Sequence, residues 1–260
     1  MRRSVASAGA GLTQLTWFDP KRGHQSLVGE AADWSNPALS PDGRTLAACK
    51  RNPVSRTRDI WTFDLDRGTP TRLTFDAADD FNPLWSPDGR QIVFVSNRKG
   101  PRDLYRKDSS GAGAEELLLE SDLQKSCEDW TRDGRFVIYN QVSRRGDREI
   151  WALPLLGDRK PFRVISGPGD PSEAHVSPDG KWMVMLSYDK SVEGHPPNKD
   201  VTLRIAPVSD DKPDVSKLAV LAKLFGGQGT INVPSWAPDS KNVAFVSYQL
   251  VPNAEGKTAQ

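Results

Sequence analysis

Trp85-Ser86-Pro87-Asp88-Gly89-Arg90-Gln91-Ile92-Val93-Phe94-Val95 is the stretch whose reading decides the fold. Proline presets φ at the first corner of a turn, Asp accepts from the backbone two residues on, and Gly tolerates positive φ. Residues 86–89 therefore reverse the chain, with an apolar anchor before them and a β-rich run after them. The same corner returns as Ser40-Pro41-Asp42-Gly43, Thr131-Arg132-Asp133-Gly134, Ser177-Pro178-Asp179-Gly180 and Ala237-Pro238-Asp239-Ser240. Successive aspartates stand 46, 45, 46 and 60 residues apart. A fixed period of this length marks a repeat architecture.

Each copy reads strand, tight turn, strand. A large apolar residue stands before the turn at Leu39, Trp85, Trp130, Val176 and Trp236. A second signature then opens a third strand: base, acid, aliphatic and usually an aromatic. It appears as Arg58-Asp59-Ile60-Trp61, Arg102-Asp103-Leu104-Tyr105, Arg148-Glu149-Ile150-Trp151 and, more weakly, Lys199-Asp200-Val201-Thr202. Fourth strands are expected at Thr71-Arg72-Leu73-Thr74-Phe75, Glu116-Leu117-Leu118-Leu119 and Phe162-Arg163-Val164-Ile165. A four-stranded meander cannot bury both its faces alone, whereas sheets packed radially cover one another. The expected fold is therefore an all-β propeller of four-stranded antiparallel blades, with the residues before the turns lying between blades.

Five blades can be counted. Thr16-Trp17-Phe18-Asp19 reads as a third strand and Gln25-Ser26-Leu27-Val28 as a fourth, while the C-terminal end supplies only the first two strands, around Ser235 and Val243. The two ends are expected to complete one blade and so hide their edges. Residues 12–250 are expected to form this single domain, with 1–11 a disordered or truncated leader and 251–260 a flexible tail. A sixth blade would have to lie in the 60-residue interval. There, residues 214–225 offer either a short helix or a strand, and a strand over 220–224 is preferred because it completes the repeat.

Composition bounds the function. Apolar residues at 37%, charged residues at 27%, 21 glycines, 20 prolines and eight tryptophans suit a globular protein with many short strands. The net charge of +1 carries no basic footprint for nucleic acid. No apolar stretch approaches the roughly 20 residues of a membrane span. The N-terminal residues lack the apolar core of a signal peptide, so the chain reads as cytoplasmic if complete as given. Cys49 and Cys127 are expected as buried free thiols, a single bridge being the alternative.

Several residues are candidates for a site. Asp33, Asp79 and Asp170 each lie seven residues before the first residue of a turn motif, and Asp80 adjoins the second. A propeller gathers such loops around one mouth of its channel, where a partial ring of carboxylates would suit Ca²⁺; the alternative is a set of solvated loop residues. His175, on an innermost strand, is a candidate for metal binding or for ordinary polar packing. The insertion over 191–200, with His195 and Asn198, suits recognition, since such insertions often carry it. Gln228, in Gly226-Gly227-Gln228-Gly229, is a further binding candidate; a strand after that loop argues against a phosphate cradle. Neither a nucleophile elbow nor a kinase signature set occurs, so no catalytic residue is assigned.

The Ser-Pro-Asp-Gly corner behind Trp85, the run Ile92-Val93-Phe94-Val95-Ser96-Asn97-Arg98 and the triplet Asp103-Leu104-Tyr105 together resemble the TolB-like propeller repeat. The resemblance covers nearly all of residues 12–249. Residues 11–119 also resemble the propeller attached to some bacterial membrane Ser/Thr protein kinases, and residues 194–248 resemble periplasmic TolB-like proteins. Members of the family usually have six blades, and five is a departure. The resemblance implies a periplasmic or other extracytoplasmic place and a non-catalytic sensor or scaffold role, with a protein or peptide partner on one rim of a monomer. The alternatives are an accessory propeller of a prolyl-oligopeptidase-type peptidase and a ligand- or glycan-binding propeller that uses its central channel.

Overall fold

The computed structural model describes residues 12–19, 23–165, 170–189, 192, 199–209, 212–226, 235–245 and 247. These residues form two compact units, 1–127 and 128–260. The first opens with a two-stranded sheet, β1 (Thr13–Asp19) and β2 (His24–Ala32). Two four-stranded meanders follow: β3 (Trp34–Leu39), β4 (Thr45–Arg51), β5 (Arg58–Asp64) and β6 (Thr69–Arg72), then β7 (Asp80–Trp85), β8 (Gln91–Ser96), β9 (Asp103–Asp108) and β10 (Glu116–Leu119).

A third meander holds β11 (Lys125–Trp130), β12 (Phe136–Val142), β13 (Arg148–Pro154) and β14 (Phe162–Ile165). The fourth holds β15 (Ser172–Val176), β16 (Trp182–Tyr188), β17 (Lys199–Ser209), β18 (Lys212–Pro213) and β19 (Ala219–Gly226). The chain's last described pair is β20 (Ser235–Trp236) with β21 (Val243–Ala244). A two-stranded sheet thus stands first and last among the described residues, and the four meanders between them follow the period of the turn motif.

The turn motif is held by one repeated set of hydrogen bonds. Ser86 Oγ donates to Asp88 Oδ1 at 2.6 Å and accepts from the Gln91 amide at 2.9 Å, while Asp88 Oδ1 accepts from the Arg90 amide at 3.1 Å. The corners at Ser40, Thr131 and Ser177 repeat it. In the last copy Ala237 has no hydroxyl, and Ser240 takes a φ of 61° where the others use glycine.

The 60-residue interval lengthens β17 to 11 residues, adds the β17–β18 hairpin and places one 3₁₀ turn, Val215–Lys217, before β19. β19 then pairs with β17 as the fourth strand, so residues 219–226 are extended and not helical. The first fourth strand ends earlier than expected. Leu73 and Thr74 both turn their amides to Ile60 O, and Thr74 Oγ1 accepts from the Ile60 amide, which takes them out of the ladder.

Apolar faces meet between successive sheets. Leu15 and Val28 of the first half-blade pack on Trp34, Leu46, Ala48 and Phe63. Gly29 lies against that ring at φ 64°, and a Cβ there would stand 2.6 Å from Phe63 Cε1. Within the second unit, Ile138, Ile150, Ala152 and Ile165 pack on Ala174, Met183 and Met185, and Val184, Leu186 and Leu203 pack beneath Trp236 and Val243. Trp85 is 8% exposed and donates its indole N–H to Ala38 O of the preceding sheet at 3.0 Å. Leu39 departs from the expectation: at 40% exposure it lies at the surface.

Candidate functional site

The first strands of three blades, β3, β7 and β15, are bent at one recurring place. Register slips between Ser35 and Ala38, between Phe81 and Leu84, and between Ser172 and His175. Asn36, Asn82 and Glu173, each four residues before the serine of a turn, take φ values of 48°, 58° and 53°. A bulge re-aims a side chain and terminates pairing locally. Here the re-aimed side chains reach the neighbouring first strand: Asn36 Nδ2 approaches Asn82 Oδ1 at 3.5 Å, and Asn82 Nδ2 donates to Ser126 Oγ at 3.0 Å and Cys127 O at 2.8 Å. The candidates read from the sequence did not include this row, although Asn36-Pro37 and Asn82-Pro83 recur 46 residues apart.

In the second unit carboxylates take the place of amides. Glu128 Oε2 accepts from the Ala174 amide at 3.0 Å, and Asp129 accepts from the amides of Trp130 and Val176 at 2.9 and 2.8 Å. Burial pushes Glu128 well above the usual carboxylate range, and the neighbouring Glu173 adds to it. Burial raises Glu173 to about 7 against the opposing pull of Arg148. Asp129 is raised by burial too, with His175 opposing. Two acids this close share their titration and are reluctant to ionise together.

The three loop aspartates each meet an arginine. Asp79 takes Arg58 through Nε at 2.9 Å and through Nη2, and also accepts from the Arg58 amide at 2.8 Å. Asp170 meets Arg148 Nε at 3.2 Å, and Asp33 meets Arg51 Nε at 3.2 Å. Arg58 and Arg148 are the bases that open the third-strand signature. Each reaches forward to the loop before the next blade, while the adjacent acids Asp59 and Glu149 hold Arg72 and Arg163 of the fourth strands at 2.8 and 3.0 Å. In the first and third blades the signature is thus a pair of electrostatic clips, one between blades and one within. No three His, Cys, Asp or Glu side chains converge as a metal-ligand set among the described residues.

Asp80 is fully buried and takes Arg98 Nη2 on both oxygens at 3.0 Å, with Glu115 on the other side of the guanidinium and Tyr105 beneath it at 4.4 Å. Lys125 is buried against Asp103 at 2.8 Å. Charges persist at such depth only when paired. Sequence reasoning missed both pairs, because Arg98 and Lys125 stand outside the repeated signatures. Cys49 and Cys127 are buried and form no disulfide, and burial lifts the Cys49 thiol to about 12.

His175 is half-buried on β15; its carbonyl accepts the Trp236 indole N–H at 3.1 Å, and its side chain borders a polar cavity of about 210 Å³ with Asp129, Arg132, Ser235 and Trp236. His195, Asn198 and Gln228 lie outside the described residues, as does most of the insertion.

Consecutive antiparallel four-stranded meanders, stacked face to face within each unit, define a β-propeller protein. Comparison with known proteins places it more narrowly. The TolB beta propeller domain profile matches residues 21–145. An uncharacterised protein of Agrobacterium fabrum is 31% identical over 210 residues, covering 81% of this chain and 68% of its own length. The chain belongs to the TolB-like β-propeller family. The Tol-Pal system protein TolB of Francisella tularensis is 34% identical over 155 residues, which cover 59% of this chain and only 35% of that protein. Among solved structures, a TolB candidate from Agrobacterium tumefaciens superposes with a TM-score of 0.75 at 28% identity, covering 94% of this chain and 85% of that one. A puromycin-hydrolyzing peptidase of Mycobacterium tuberculosis shares the fold alone, at 15% identity and a TM-score of 0.57, over 74% of this chain and 32% of that one.

Proposed function

We propose that this chain is a non-catalytic interaction module of the bacterial cell envelope that binds a protein or peptide on a propeller rim. The observation that carries the reading is how the polar groups of the first strands are used. Asn82, Glu128 and Asp129 each accept from or donate to the adjacent strand, and Asp79 and Asp170 each hold an arginine of the preceding blade. Side chains committed to joining blades stiffen a scaffold and leave recognition to its rims and loops. Family membership supports the envelope setting, as the name of the Francisella relative ties that protein to a Tol-Pal system.

Crosslinked co-purification from the native host, read by mass spectrometry, tests the proposal. Enrichment of a small set of envelope proteins is the expected result; labelling by a fluorophosphonate probe, or turnover of peptide substrates, would overturn it. A second reading, an accessory propeller of a peptidase, rests on the shared fold with the mycobacterial enzyme. It requires a hydrolase domain encoded in frame with these residues.

A further inference from the structure

The repeat breaks its own pattern twice at one blade junction, and both breaks border the same opening. Before the turn, Trp85 and Trp236 send their indole N–H groups to Ala38 O at 3.0 Å and His175 O at 3.1 Å, equivalent carbonyls on the preceding sheets. Each ring thereby fills the seam between two blades. The fourth blade has Val176 at that position, and beside it a cleft of about 190 Å³ lies between the third and fourth sheets. Its floor is Phe136, Ile138, Val164, Val176 and Met183.

The second break is Arg132, which stands at the turn corner where the other four copies carry Pro41, Pro87, Pro178 and Pro238. Arg132 is exposed and borders both this cleft and the polar cavity beside His175. The acids around it hold hydrogen-bond partners of their own, and Arg132 acts on Asp129 only through space. Asp133 holds Arg135 at 2.7 Å, Asp179 takes the Ser177 hydroxyl and the Lys181 amide, and Asp129 takes two backbone amides. Among the described residues no carboxylate stands within ion-pair distance of Arg132. Departures from a local rule concentrate at functional sites.

We propose that this cleft receives the C-terminal residue of a peptide, its apolar side chain between the sheets and its carboxylate on Arg132. The inference rests on the interaction-module reading and names the partner's chemistry. The volume is below the roughly 300 Å³ at which drug-sized ligand pockets begin, and suits one side chain of leucine or phenylalanine size. A planar guanidinium takes a carboxylate through two parallel hydrogen bonds. The polar cavity on the other side of Arg132 gives the preceding main chain a place to run.

The test titrates the full chain with a fluorescein-labelled hexapeptide, Gly-Ser-Gly-Ser-Gly-Leu, as free acid and as C-terminal amide, followed by anisotropy. The free acid saturates, and the amide binds at least tenfold more weakly. Arg132→Pro restores the repeat's own residue, so it keeps the melting temperature while weakening the acid peptide at least tenfold. Val176→Trp places at this seam the residue that fills it at Trp85 and Trp236, and abolishes binding. Should that variant misfold, Arg132→Pro decides. Equal binding of acid and amide, no saturation by the acid, or undiminished binding to Arg132→Pro overturns the proposal. Envelope partners still captured from the host by a chain that binds no peptide would sink the cleft alone and leave the interaction reading standing.

Discussion

Asp42, Asp88, Asp133 and Asp179 sit below the usual carboxylate range, and for Asp42, Asp88 and Asp179 the leading cause is the hydroxyl that donates from the serine two residues before. A carboxyl whose folded pKa is depressed contributes stability above its unfolded value, near 3.8, and loses it as pH falls through the folded value. Asp88→Asn is therefore expected to lower the melting temperature at pH 7, with the difference from the parent shrinking as pH falls below 3.8; an equal difference at neutral and acid pH would contradict the assignment. Trp85 carries a larger share of stability. It is buried and hydrogen-bonded across a seam, so Trp85→Ala should cost about 3–5 kcal/mol in denaturant unfolding, as large-to-small core changes do. These residues were legible in advance, because a tight turn and its apolar anchor are local matters. Leu39 was not: it has the same place in the repeat as Trp85 yet is 40% exposed.

Among elements, the third-strand signature does work that its sequence only hinted at. Its base and acid lie on one strand yet hold different partners, since successive side chains of a strand point to opposite faces. Arg58 grips Asp79 of the next blade's loop and Asp59 grips Arg72 of its own blade. A double-mutant cycle over Arg58→Ala and Asp79→Ala should return a coupling of about 1–3 kcal/mol, the range of hydrogen bonds to charged groups, because both side chains are largely buried. A coupling below a few tenths would show the pair to be no stronger than an ordinary surface bridge. The period alone revealed that the signature recurs. Which loop each arginine meets depends on how one sheet stacks on the next, and that is a long-range matter.

For the molecule as a whole, the two classes of carboxyl pull its stability in opposite directions with pH. The turn aspartates favour the folded state above about pH 4. Glu173, raised to about 7, and Glu128, raised well above its ordinary value, act the other way. Their protonated forms are the ones the fold accommodates, so their contribution is complete below the unfolded value near 4.5 and is lost as pH rises through the folded one. Stability is expected to peak on the acid side of neutrality and to decline between about pH 5 and 8. Glu173→Gln, which mimics the protonated acid, should flatten that decline and exceed the parent in melting temperature at pH 8. A decline left unchanged in the variant would remove Glu173 from the account.

The regular corners by themselves determined the four-stranded repeat, the strand order and the turn geometry, because each depends on residues within a few positions of one another. Tertiary structure alone decided which charges are buried, that the loop aspartates hold arginines, that a bulge turns Asn36, Asn82 and Glu173 toward the neighbouring strand, and that Val176 leaves a seam unfilled. Each of those depends on two sheets meeting, and a side chain's partner across such an interface is not encoded by its near neighbours in the chain.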